Sequence, residues 1–217
     1  MLWIVALTAA ATASLLAAEY RDWRPGVWLS KPLASTGFVA LALAAGALTR
    51  TGDSSYGLLV LLALVLSWLG DVLLIPRTAP SVFRAGILSF LLGHLAFAAA
   101  FASRGLDVTA AATAAAFIVI PAIFTLRWLR PHIPPDMALA VRAYVLVISS
   151  MVVCAAGTVA LAGDPRILVG AVMFFVSDLA VARERFVAPS FSNQLWGLPL
   201  YYCGQLVLAS TAGGVGG

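Results

Sequence analysis

An all-α bundle of membrane-spanning helices is the fold class this sequence predicts, and three observations predict it. Of the 217 residues, 62% are hydrophobic and only 10% are charged, and the mean hydropathy is +1.02. A soluble domain carries about a quarter charged residues. Apolar stretches of about 20 residues recur along the chain, the length a helix needs to cross a bilayer. The connections between them are too short for a soluble domain. The expectation is one transmembrane domain over residues 1–217, an integral membrane protein of about eight helices without tandem repeats or low-complexity domains.

The elements follow in order. Residues 2–18 contain "ATASLLAA", whose small residues suggest a signal-peptide cleavage site. A signal peptide needs a basic leading region, and no Lys or Arg precedes Arg21, so a retained helix is expected. The second span, 28–49, has Lys31 at its start in "SKPLAS". The third, 56–75, contains "LVLSWLGDVLLIP" and ends at Ile75–Pro76. The fourth, 84–103, places His94 about halfway, in "FLLGHLAF". The fifth is 108–126. The sixth, 138–162, carries Arg142 and Tyr144 near its start. The seventh, 167–183, holds Asp178, and the eighth, 193–212, carries "LPLYYCGQL". The terminal "GGVGG" reads as a short frayed tail.

Basic residues orient the bundle. The loops joining helices 1–2, 3–4, 5–6 and 7–8, with their helix ends, hold Arg21, Arg24, Lys31, Arg77, Arg84, Arg127, Arg130, Arg142, Arg183 and Arg185, ten of the 13. The other loops hold Arg50, Arg104 and Arg166. The richer side belongs in the cytoplasm, which puts both termini outside. The alanine-rich composition is that of a GC-rich bacterial genome, so a bacterial inner (plasma) membrane is the expected location. The net charge of +4 is a topology signal, because nucleic-acid binding needs a clustered basic face on a soluble surface. Cys154 and Cys203 both fall within spans and read as packing residues.

Seven of the nine acids have structural explanations. Asp53, Asp107, Asp136 and Asp164 each precede a helical stretch and read as N-caps. Glu19, Asp22 and Glu184 sit in charged loop sequence. Asp71 and Asp178 differ. Each lies roughly 6–8 Å inside its helix end, at similar depth on the cytoplasmic side. A carboxylate inside a span is costly and turns to the bundle interior for a partner. Neither has a basic residue three or four positions away on its own helix, so the partner must come from another helix, or the acid must be protonated. Lys31, His94, Arg142, Tyr144, Tyr201, Tyr202 and Gln205 are the polar candidates to join them. Lys31 and Arg142 also suit snorkelling to headgroups, and Tyr201 and Tyr202 suit packing. Gly70, Gly93 and Gly204 allow close helix approach.

Two histidines, one of them His132 in the loop "RPHIPPD", cannot build a three-His zinc site. No nucleophile elbow, phosphate-binding glycine loop or dinucleotide fingerprint occurs. Two carboxyls in a dry site suit acid–base chemistry, in which one is protonated near neutral pH while the other stays ionised. That pairing serves reactions that pass through an oxocarbenium-like cation. The setting suggests a lipid substrate, whose phosphate Lys31 and Arg142 could hold.

The segments "KP" at 31–32, "SWLGDVLL" at 67–74, "FLLGHLAFAAAF" at 90–101, "AVMFFVSDLAVARERF" at 171–186 and "LPLYYCGQLVLA" at 198–209 together resemble the YhhN family, whose characterised members are lysoplasmalogenases. The resemblance covers essentially the whole chain. It implies hydrolysis of the vinyl ether bond of a lysoplasmalogen, with no cofactor, and it carries the catalytic role onto Asp71 and Asp178. His94 and Tyr202 rank second, as groups that orient water or the carboxyls. The implied partners are a vinyl ether lysophospholipid and membrane lipids. Two alternatives stay open: a small-lipid transporter or flippase that uses the acids for proton coupling, and a hydrolase of another ether or acyl lysolipid. No inverted repeat supports the first, and no metal or activated nucleophile supports acyl hydrolysis.

Overall fold

The structure, a computed structural model, describes residues 1–49, 54–76 and 79–213. Among these it is an all-α membrane bundle of eight helices: α1 (Leu2–Tyr20), α2 (Arg24–Ala44), α3 (Ser54–Leu73), α4 (Pro80–Ser103), α5 (Val108–Leu129), α6 (Ala138–Ala162), α7 (Pro165–Ala182) and α8 (Phe191–Ser210). Arg50, Asp53, Arg77 and the final residues 214–217 lie outside the described residues.

Proline and glycine set several helix ends. Pro25 stands in the first turn of α2, after Trp23 in an extended conformation. Proline is tolerated there because that turn's N–H groups have no intrahelical acceptor. The helix therefore starts at Arg24, and Lys31 lies two turns inside it rather than at its start. Pro80 and Pro165 open α4 and α7 in the same way. Gly163, at φ +72°, closes α6 in a left-handed conformation that suits glycine.

Asp107 and Asp164 cap α5 and α7 as expected, accepting from the backbone N–H of Ala110 and Arg166. Asp136 does not cap α6. It lies in a 3-10 turn, Pro135–Met137, and its carboxylate takes Arg84 instead. That pairing is exposed, and Met137 stands at the cap position. The seventh helix also runs on, since Arg183–Val187 continues it as a π-helical turn.

Seven of the helices are long and apolar enough to cross a membrane, and α8 is not among them. Its tyrosines, Asn193, Gln194 and Gln205 lower its hydropathy below that of a spanning helix. The packing explains how it is accommodated, because α8 is surrounded by α1, α2, α3 and α7. By contrast α5 packs chiefly on α6 and turns Phe117, Ile120 and Phe124 outward.

Between helices in lipid the hydrophobic effect contributes little, so close packing has to hold them. The α7–α8 seam shows this. A Cβ on Gly170 would stand 2.6 Å from Leu208, and one on Gly204 would stand 3.1 Å from the Gly170 carbonyl oxygen. Some buried hydroxyls are satisfied within their own helices. Thr8, Thr12 and Ser67 each donate to the carbonyl four residues earlier. Others bridge helices, as Ser89 does to the Leu66 carbonyl and Thr158 to that of Phe101.

Candidate active site

Asp71 sits near the end of α3 and is buried, with its side chain 4% exposed. Groups from two other helices converge on it. Lys31 of α2 brings its Nζ to 3.4 Å from Oδ1. Ser35, one turn further along α2, donates to Oδ2 at 2.6 Å, and Tyr201 of α8 donates to the same oxygen at 2.7 Å. Ser35 also lies 3.0 Å from the Lys31 carbonyl. A hydroxyl has one proton to give, and the carboxylate is the nearer acceptor. Tyr202 can then donate to Ser35 Oγ at 3.2 Å. The result is a relay from Tyr202 through Ser35 to Asp71.

Asp178 of α7 has different neighbours. Tyr144 of α6 donates to its Oδ2 at 2.6 Å. His94 of α4 places Nε2 at 3.6 Å from that same oxygen. The other ring nitrogen, Nδ1, is 2.7 Å from the carbonyl oxygen of Phe90. Rings enclose the imidazole: Phe174 at 4.3 Å and Tyr144 at 5.3 Å between centroids. Among the described residues no Lys or Arg forms an ion pair with Asp178.

Both carboxyls line one cavity of about 430 Å³ at the end of the bundle. Its walls are mostly apolar and include Phe83, Ile87 and Phe90 of α4, Leu129 of α5, Val141, Val145 and Ile148 of α6, and Leu198 of α8. Polar groups also line it: the exposed Arg185 at its mouth, half-buried Glu19, Glu184 and Gln194, and buried Asn193. Asn193 ties this end together. It accepts from Arg183 and donates to Glu184, and the Ser190 N–H adds a second bond to Glu184.

Of the residues expected from sequence, Asp71, Asp178, Lys31, Tyr144 and Tyr201 line the cavity, and His94 stands directly behind Asp178. Tyr202 acts one bond away, through Ser35. Two residues are not brought in. Arg142 is exposed on α6 and lines no part of the cavity. A long cation near a helix end reaches the headgroup region at little cost, and Arg142 follows that pattern. Gln205 is buried on α8 away from the cavity lining, and its amide has no hydrogen-bond partner among the described residues. Ser35 was not singled out in the sequence, although its place four residues after Lys31 puts both on one helix face. All three glycines expected at close approaches are found there. Gly70 faces the Phe90 ring, Gly93 faces the Ala63 carbonyl and Ser67, and Gly204 faces α7.

Fold and site thus define an integral membrane bundle with one buried and one half-buried carboxyl, Asp71 and Asp178, opening on an apolar-walled cavity. The YhhN family model matches residues 26–212, and the chain belongs to that family. Lysoplasmalogenase TMEM86A of Bos taurus is 28% identical over 159 residues, covering 70% of this chain and 64% of that protein. Lysoplasmalogenase TMEM86B of Homo sapiens is 31% identical over 150 residues, covering 69% and 61%. The chain therefore spans about three fifths of the length of these relatives. No solved structure matches it at a significant level.

Proposed function

We propose that this protein is a lysoplasmalogenase-type hydrolase, a single transmembrane domain that cleaves the vinyl ether bond of a lysophospholipid to release a fatty aldehyde and a glycerophospho-headgroup. The observation that carries the reading is the convergence of Asp71 and Asp178 on one apolar-walled cavity. The names of the relatives agree with it. Both carboxyls are catalytic in this proposal. One protonates the outer alkene carbon, and the other stabilises the oxocarbenium ion and activates water. The hemiacetal then collapses to aldehyde and alcohol. The alkenyl chain lies along the wall formed by α4, α5 and α6. Lys31 is engaged by Asp71, so the headgroup phosphate falls to Arg185 at the mouth. No cofactor enters the scheme.

Arg24, Lys31, Arg84, Arg183 and Arg185 all belong to the end of the bundle that carries the cavity mouth. By the positive-inside rule that end faces the cytoplasm, with both termini outside. The test is turnover of a 1-alkenyl lysophospholipid in deuterated water. Protonation at carbon places one solvent deuterium on the carbon next to the aldehyde. Aldehyde without that label contradicts the mechanism, and no aldehyde from folded protein contradicts the function.

A further inference from the structure

The surroundings of His94 say which carboxyl holds the proton. Its Nδ1 lies 2.7 Å from the Phe90 carbonyl oxygen, an acceptor with no hydrogen to give. The Nδ1 must therefore be the N–H of the ring, a tautomer assigned from the acceptor it faces. In the neutral ring Nε2 is then a bare lone pair. That atom is buried without a hydrogen-bond partner among the described residues. It faces Asp178 Oδ2 at 3.6 Å. Two acceptors cannot satisfy each other, and a water between them would need a separation of about 5 Å. One proton between Oδ2 and Nε2 resolves the contact, and a small rotation of the carboxyl closes it to hydrogen-bond length.

That proton could rest on either partner. On His94 it would make an imidazolium facing a carboxylate, in a residue that is 0% exposed. Separating two charges in so apolar a place costs more than their attraction returns unless further bonds satisfy them. On Asp178 it leaves both groups neutral. Charge balance agrees: Lys31 is already paired with Asp71, and an ionised Asp178, half-buried, would have the Tyr144 hydroxyl and no cation among the described residues to offset its charge.

We infer that Asp178 is the proton-bearing carboxylic acid of the resting site, held in that form by the bare Nε2 of His94, and that Asp71 is its resting carboxylate. This rests on the proposed vinyl ether chemistry and completes its proton cycle. The Asp178 proton goes to the outer alkene carbon, whose π pair forms the new C–H bond and leaves an oxocarbenium ion. Water adds to the ether carbon and gives a proton to Asp71. On collapse the hemiacetal O–H returns its proton to Asp178 as the C=O bond forms. The C–O bond to glycerol breaks, and that oxygen takes the proton from Asp71. One water is consumed and both carboxyls are restored. His94 is a positioning residue, since it reaches the substrate only through Asp178.

Infrared spectroscopy of the substrate-free protein at neutral pH tests this without turnover, so its outcome is independent of whether the substrate is right. A carbonyl stretch of a protonated carboxylic acid is expected in the wild type, absent in Asp178→Asn, kept in Asp71→Asn and displaced in His94→Phe. A wild type without that band, or a band that disappears with Asp71→Asn and survives Asp178→Asn, overturns the inference. In kinetics, His94→Phe is expected to lower kcat about tenfold or more with KM little changed. His94→Gln, whose side-chain carbonyl can accept from Asp178, is expected to keep most of it. Wild-type kcat in a folded His94→Phe overturns the positioning role.

Discussion

Lys31 and Asp71 are each costly inside a membrane and tolerable together. Removing one partner of a buried pair strands the other, at a cost of about 3–5 kcal/mol. Lys31→Met is therefore expected to lower the Tm in detergent markedly. The double variant Lys31→Met with Asp71→Asn should recover most of that loss and remain inactive. A double variant no more stable than Lys31→Met alone would show that Lys31 is not the counter-charge. This is also the scale at which the sequence is most and least readable. Asp71 and Asp178 stood out because an acid inside a span needs a reason. Ser35 did not, because a hydroxyl in an apolar helix can satisfy itself on a carbonyl four residues back, as Thr8 and Thr12 do. Arg142 had the right charge and the right end of its helix but faces outward, since α6 offers a long side chain several directions and sequence depth fixes none of them. Glu184 was unremarkable in charged loop sequence and Asn193 at the start of the eighth span, because their roles come from the turn that brings α8 back against the end of α7.

Among the elements, α7 and α8 matter most to the site, because one carries Asp178 and the other Tyr201. Their seam is tight at Gly170, Gly197 and Gly204, and a Cβ on Gly197 would stand 2.4 Å from that of Ala180. Gly204→Val is expected to push the helices apart, lower the Tm and cut activity by weakening the Tyr201 contact with Asp71. A Gly204→Val variant with wild-type Tm and turnover would show that the seam is looser than its geometry. At the other end of α7, burial tends to raise the Asp164 carboxyl, but hydrogen bonds and charge from Arg166 outweigh it and hold it below the usual carboxylate range. A depressed carboxyl stabilises the fold above its unfolded value of about 3.9, and that contribution is lost as pH falls through the folded value. Asp164→Ala should therefore cost about 0.5–2 kcal/mol near neutral pH, with the difference from wild type shrinking in acid. A difference that stays constant into acid would show that the charge contributes nothing. Apolar runs made the helices legible. Some of their starts were less so, because Pro25 and Pro80 sit inside first turns rather than before them, whereas Asp164 ahead of Pro165 marked the start of α7. The π-helical turn after Ala182 left no sequence signal.

On the scale of the whole molecule, the two ends of the bundle differ. Exposed Tyr20, Trp23, Trp28 and Trp196 ring the cavity end, while Trp3 stands near the other. Aromatic side chains of this kind anchor at membrane interfaces. In a background carrying Cys154→Ala and Cys203→Ala, a membrane-impermeant thiol reagent applied from outside is expected to label Pro165→Cys and to miss Pro189→Cys until the membrane is opened. The reverse pattern would invert the topology and place the cavity on the outer leaflet. The eight-helix layout was readable from hydropathy, but the central position of α8 was not, since only its neighbours explain a helix so polar. The most direct test of the function is aldehyde release by the purified protein from 1-alkenyl lysophosphatidylethanolamine, run beside its 1-acyl analogue and with Asp71→Asn and Asp178→Asn. The expected result is aldehyde from the alkenyl lipid, no cleavage of the acyl lipid, and a loss of at least about a hundredfold in each folded variant. Near wild-type turnover in either variant, or cleavage of the acyl lipid alone, would contradict it.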